Sequence, residues 1–142
     1  RMIQEEAHDF GLPVASWMYP RGKKVDAAKA EKKGEVLAYA ARIGQELGAD
    51  YLKMPYNGNP DDMRKQVLMA GKSKVVMSGG PKANSTKDFL KQIEEVNSAG
   101  AQGFAIGRNI WQHDKPLEVI KAIRDVQIEK KTVYEALKRL EN

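Results

Sequence analysis

A lysine on an apolar run, a tyrosine after another such run and two glycine-rich turns are the residues of this chain equipped for chemistry. Lys53 lies in Ala-Asp-Tyr-Leu-Lys-Met-Pro-Tyr (residues 49–56), which follows Gly48 and reads as a buried strand with an ammonium near its C-terminal end. Desolvation at such a place lowers a lysine pKa and supplies the free amine that attacks a carbonyl. The competing reading is a structural lysine whose stem covers apolar surface while its ammonium reaches water. Tyr19 can give and take a proton beside an iminium, and Trp17, two residues earlier on the same strand face, can wall such a site. Taken alone, aromatics at strand ends are more often packing residues.

The glycine-rich turns are Ser78-Gly79-Gly80-Pro81-Lys82 and Gly107-Arg108-Asn109. Glycines after a strand let backbone N–H groups approach an anion. The next helix N-terminus adds a favourable dipole, and Arg108 adds a charged fork. One such loop alone is an ordinary strand-to-helix turn, whereas two in successive units point to a phosphate site. His8 and His113 have no partner at metal-ligand spacing and read as structural, so no metal site is expected. Trp111 reads as a packing residue.

These groups need a frame that brings them together, and the chain alternates two kinds of segment that provide it. Apolar or β-branched runs at Leu12–Trp17, Ala49–Met54, Lys74–Met77 and Gly103–Ile106 are candidate strands. Residues 2–10 read as the end of a helix feeding the first of them. Amphipathic stretches over Val36–Leu47, Pro60–Met69, Ser85–Ala99, Pro116–Ile128 and Thr132–Leu140 are candidate helices, and Pro20–Gly34 reads as a polar loop. Asn59 before Pro60 marks an N-cap, Ser85-x-x-Asp88 is related to a capping box, and Gly48, Gly71 and Gly100 are C-terminal stops. Strand onsets near 14, 51, 75 and 103 give units of about 25 to 37 residues, the spacing of a parallel sheet. A parallel sheet is covered on both faces or closed into a barrel, and chemistry sits at its C-terminal strand ends. Four units cannot close a barrel. The chain also opens in mid-pattern, so it reads as one segment (1–142) of something larger.

Composition narrows the function classes. The chain has 142 residues, 42% hydrophobic and 30% charged, as expected of one globular domain at most. No apolar stretch approaches the roughly 18 residues of a spanning helix, so no membrane role is expected. The absence of cysteine excludes disulfides and thiolate zinc sites and fits a reducing compartment such as the cytoplasm. The formal charge of +5 comes from lysines interspersed with acids, as in Glu31-Lys32-Lys33 and Glu129-Lys130-Lys131, so solvated helix faces are expected rather than a nucleic-acid stripe.

Trp-Met-Tyr-Pro-Arg-Gly at 17–22, Gly-Ala-Asp-Tyr-Leu-Lys at 48–53, Met-Ser-Gly-Gly-Pro-Lys at 77–82 and Ile-Gly-Arg-Asn-Ile-Trp-Gln at 106–112 resemble the archaeal-type class I fructose-1,6-bisphosphate aldolases. These are Schiff-base enzymes on the (β/α)8, or TIM, barrel. The resemblance implies an α/β chain forming the C-terminal half of such a barrel, its fifth to eighth strands, with the N-terminal half and an acidic residue of the first strand absent. It implies that Lys53 forms the Schiff base and Tyr19 transfers protons. Trp17 is then an active-site wall, and Ser78, Gly79, Gly80, Gly107 and Arg108 bind a phosphate of a phosphorylated sugar, with no cofactor. Met54-Pro55-Tyr56-Asn57-Gly58 departs from the family's more usual run, which affects the pocket beside the lysine. The related synthase of 2-amino-3,7-dideoxy-heptulosonate shares Tyr-Pro-Arg-Gly, the lysine and Gly-Arg-Asn; Trp17 and Met77-Ser78 favour the bisphosphate aldolases. A non-catalytic phosphosugar-binding module would need the loops but not Tyr19 and Lys53 together. Partners expected are the missing half-barrel and further copies of the protein; Val133, Leu137 and Leu140 form a stripe that serves either a contact between copies or packing on the chain's own body.

Overall fold

The residues that end each helix also launch the next strand. Gly48, Gly71 and Gly100 all take positive φ (+93°, +56°, +95°), a backbone shape that side-chain-bearing residues avoid, and so turn the chain back toward the sheet. The computed structural model describes residues 1–26 and 30–141. Its elements run α1 (Met2–Asp9), β1 (Ala15–Trp17), α2 (Lys23–Asp26), α3 (Ala30–Glu46), β2 (Tyr51–Met54), α4 (Pro60–Met69), β3 (Lys74–Ser78), α5 (Thr86–Ser98), β4 (Gly103–Ala105), α6 (Arg108–Trp111), α7 (Pro116–Gln127) and α8 (Val133–Glu141). The four strands form one parallel sheet in chain order.

Two caps follow the sequence. The Asn59 side chain accepts from the Asp61 amide at 2.9 Å with Pro60 at the first helical position, and Ser85 accepts from the Asp88 amide at 3.0 Å. Three expectations are corrected. The segment 20–34 is not a plain loop, because α2 and the first turn of α3 lie in it, so the helix expected from Val36 begins at Ala30; residues 27–29 lie outside the described ones. The first strand begins at Ala15 rather than Leu12. Pro13 has no N–H to donate, and the Val14 amide is taken by the Asp50 carboxylate at 2.7 Å. A short helix, α6, follows β4 where only a turn was expected.

Strand alternation divides the sheet into two faces. Leu52, Met54, Val75 and Met77, each at most 1% exposed, point to one face and join Met63, Phe89, Leu90, Ile93, Val96, Val119 and Ala136 in a single core. All five long helices contribute to or pack on that core. On the other face, the rung Trp17–Lys53–Val76–Gly103 runs across the sheet in register, and no described helix covers it. Val133, Leu137 and Leu140 pack against the core, which settles the C-terminal stripe as internal packing.

The same C-terminal helix is pinned electrostatically. Asp125 on α7, 4% exposed, accepts from Arg139 of α8, with Nη2 at 3.2 Å, and from Lys131 Nζ at 3.0 Å. The Arg139 hydrogen bond, reinforced by Lys131 and opposed by burial, lowers the Asp125 pKa to about 2. The folded value lies below the unfolded one of about 3.9, so the stabilisation is complete above the unfolded value and disappears as pH falls through 4 toward 2. Asp125→Asn is expected to cost about 1–2 kcal/mol in urea unfolding at pH 7 and to differ little from the parent near pH 2. An equal deficit at both pH values would show that packing, not charge, is lost.

Candidate active site

Parallel strands bring their C-terminal ends to one edge, and the chemistry-bearing residues collect there. A cleft of about 480 Å³ is lined by Tyr19 after β1, Lys53 on β2, Ser78, Gly79 and Gly80 after β3, and Gly107, Arg108 and Trp111 after β4. Trp17 stands beside it: its ring lies opposite Lys53 across the β1–β2 register, with the ammonium 4.9 Å from the ring centroid. All eight residues singled out from the sequence therefore meet at one place. Lys53 is half-buried rather than enclosed, because it projects from the face that no described helix covers. Trp17 is 63% exposed, which excludes core packing as its role in this chain.

The two glycine loops are fastened to each other. The Arg108 guanidinium donates to the Gly80 carbonyl at 2.7 Å, and the Asn109 side-chain amide donates to the carbonyls of Gly79 (3.0 Å) and Pro81 (3.1 Å). The Asn109 side-chain oxygen accepts from the Ala83 amide at 2.7 Å, and Lys82 donates to the Gln112 carbonyl at 2.8 Å. Gly80 has φ +58°, and a Cβ on Gly107 would lie 2.4 Å from the Trp111 ring, so both positions call for glycine. Trp111 is thus a wall resting on Gly107. It is 70% exposed, which corrects its reading as an ordinary packing residue.

Two contributors were not picked out from sequence as site residues. Tyr56 lines the cleft and donates to Glu95 of α5 at 2.8 Å; burial, together with that carboxylate acceptor, holds its phenol well above the usual tyrosine range. It stays protonated and ties the segment after Lys53 to α5. Asn109 appeared only as part of the Gly-Arg-Asn motif. Its 7% exposure and three hydrogen bonds are tertiary facts with no local sequence signal. The histidines are structural: His8 meets Asp50 at 2.9 Å, while His113 meets Thr86 at 3.0 Å and accepts from the Lys115 amide. Among the described residues no helix is long and apolar enough to cross a membrane.

A parallel α/β sheet with helices on one face and its polar cleft at the C-terminal strand ends is an enzyme-type scaffold of the barrel or open-sheet kind. A family model described as DeoC/LacD family aldolase matches residues 1–113, and the chain belongs to that family. It is 46% identical over 135 residues to the class 1 fructose-bisphosphate aldolase of Thermoproteus tenax, covering 95% of this chain and 50% of that protein. It is 45% identical over 140 residues to the Halobacterium salinarum protein of the same name, covering 99% of this chain and 52% of that one. Among solved structures, an archaeal fructose-1,6-bisphosphate aldolase with its catalytic Lys covalently bound to the carbinolamine intermediate of the substrate is similar, with a TM-score of 0.80 and 44% identity. That match covers 88% of this chain and 49% of that one. The chain's sheet matches the barrel of such aldolases, and the chain spans about half the length of the curated relatives it matches.

Proposed function

We propose that this chain carries the Schiff-base machinery of a class I aldolase that cleaves fructose 1,6-bisphosphate reversibly to dihydroxyacetone phosphate and glyceraldehyde 3-phosphate. The observation that supports it most is the meeting of Lys53, Tyr19 and both glycine loops in one cleft. In this reading β1–β4 are the fifth to eighth strands of a (β/α)8 barrel, and the N-terminal half of the barrel covers the rung Trp17–Lys53–Val76–Gly103.

The Lys53 amine adds to the ketone carbon, and the resulting carbinolamine loses water to give an iminium. Tyr19 gives its phenol proton to the hydroxyl that leaves the carbinolamine as water. The phenolate so formed accepts the hydroxyl proton on the fourth carbon as the bond between the third and fourth carbons breaks and that electron pair moves onto the iminium to form an enamine. Glyceraldehyde 3-phosphate leaves. Protonation of the enamine and hydrolysis of the iminium then release dihydroxyacetone phosphate and restore the amine. Ser78, Gly79, Gly80, Gly107 and Arg108 hold a phosphate and so fix the carbonyl over the lysine, while Trp17 walls the site. The iminium is the electron sink, so the proposed chemistry calls for no metal or cofactor. The same reading makes the working protein a cytoplasmic homo-oligomer whose contact between copies lies away from the α8 stripe already used in the core.

The test is borohydride reduction of the intact protein with dihydroxyacetone phosphate, followed by peptide mass spectrometry. A reduced adduct on Lys53 is expected. A folded protein that forms none is a binding module, and one that forms it without cleaving fructose 1,6-bisphosphate is the related synthase or another transferase of the same chemistry.

A further inference from the structure

We infer that Asn109 is the positioning residue that turns two backbone amides, those of Gly80 and Lys82, toward the substrate phosphate. The inference rests on reading the loop after β3 as a phosphate subsite and goes beyond it by naming what orients that loop. The carbonyls of Gly79, Gly80 and Pro81 are all taken by side chains at the start of α6: Asn109 holds the first and third, and Arg108 the second. In a planar trans peptide the carbonyl of one residue and the N–H of the next point in opposite directions. Fixing the Gly79 and Pro81 carbonyls on Asn109 therefore aims the Gly80 and Lys82 N–H groups away from it. The peptide between those two has no N–H, because its nitrogen belongs to Pro81.

Among the described residues, neither the Gly80 nor the Lys82 amide has a hydrogen-bond partner. Gly80 lines the Lys53 cleft, and both residues line an adjoining one that shares Tyr56, Ser78, Gly79 and Pro81 with it. Two free donors held on a rigid loop are suited to an oxyanion, and orienting them in advance avoids reorganisation when the anion arrives. Asn109 is suited to the task because its side chain is buried, both N–H groups are used, and its oxygen closes the loop on Ala83. An aspartate of the same shape would face two carbonyls with no proton to give them.

The test compares the intact protein with Asn109→Asp and Asn109→Ala, each checked for folding by circular dichroism and melting. Two quantities are read: the affinity for inorganic phosphate by calorimetry, and the rate of borohydride trapping on Lys53 with unphosphorylated dihydroxyacetone. In both variants phosphate affinity is expected to fall at least about tenfold while trapping stays within about twofold, since only charge-assisted bonds to the anion are lost. Unchanged phosphate affinity overturns the inference, and so does an equal fall in both quantities, which marks a general collapse of the site. If Asn109→Asp does not fold, Asn109→Ala decides. If the parent protein traps nothing, the aldolase reading fails, and the phosphate titration still decides the role of Asn109.

Discussion

Lys53→Met is expected to bring cleavage of fructose 1,6-bisphosphate down to the uncatalysed background, a loss on the order of 10⁶-fold or more by the accelerations typical of enzymes. No other described residue in the cleft offers an amine on a strand beneath a candidate phosphate loop: the nearby Lys82 ammonium is spent on the Gln112 carbonyl. Methionine keeps the length of the side chain and removes the nucleophile. Lys53→Arg is the sharper control, because a guanidinium keeps the positive charge over the Trp17 ring and stays protonated in proteins. It is expected to be as inactive as the methionine variant. Both should melt within about 1 kcal/mol of the parent, since Lys53 is half-buried and makes no ion pair among the described residues. Activity surviving in Lys53→Arg would mean that the positive charge, not the amine, does the work, and the Schiff-base reading would be abandoned.

That Lys53 was legible at all follows from strand alternation. Leu52 and Met54 flank it and go to the core, so a lysine between them must face the opposite side of the sheet at a C-terminal strand end. The glycine loops were legible for a similar reason, since few residues other than glycine accept φ near +58° or a tryptophan ring within 2.4 Å of the would-be Cβ. Helix starts were legible where a side chain caps them, as at Asn59 and Ser85.

What escaped the sequence has definite physical causes. The start of α3 lacks apolar periodicity: Ala30, Glu31, Lys32 and Lys33 are good helix formers but carry no stripe, so a pattern-based reading starts only at Val36. The first strand lost its opening residues to a side-chain hydrogen bond from 36 positions away, Val14 to Asp50. Helix α6 is a single turn, too short for any period to register. The partners of Asn109 are the backbone groups of a loop some 26–30 positions earlier, and nothing in the identity of those residues announces a carbonyl needing a donor. Local chemistry was readable, whereas contacts closed by the topology were not.

Tyr19→Phe separates the two halves of the proposed reaction and is expected to have the second-largest effect. The phenol lines the same cleft as Lys53 but lies beyond the end of β1, two residues after Trp17, the last position of that strand in register with β2. A phenylalanine keeps the ring that walls the cleft and removes only the group that moves protons. Turnover should fall by about 100- to 10,000-fold, the range general acid–base groups contribute. Binding should hold, because the phosphate donors on the glycine loops are untouched, so the loss belongs in kcat rather than KM. Borohydride should still trap dihydroxyacetone phosphate on Lys53, only more slowly, since the amine is intact. Tyr56 lies in the same cleft, but its hydroxyl donates to Glu95 and its proton is held firmly, which leaves it poorly placed to take over. If Tyr19→Phe turns over normally, the ring alone matters and another group carries the proton. A normal rate in Tyr19→Phe that falls in Tyr56→Phe would move the acid–base role to the residue anchored on α5.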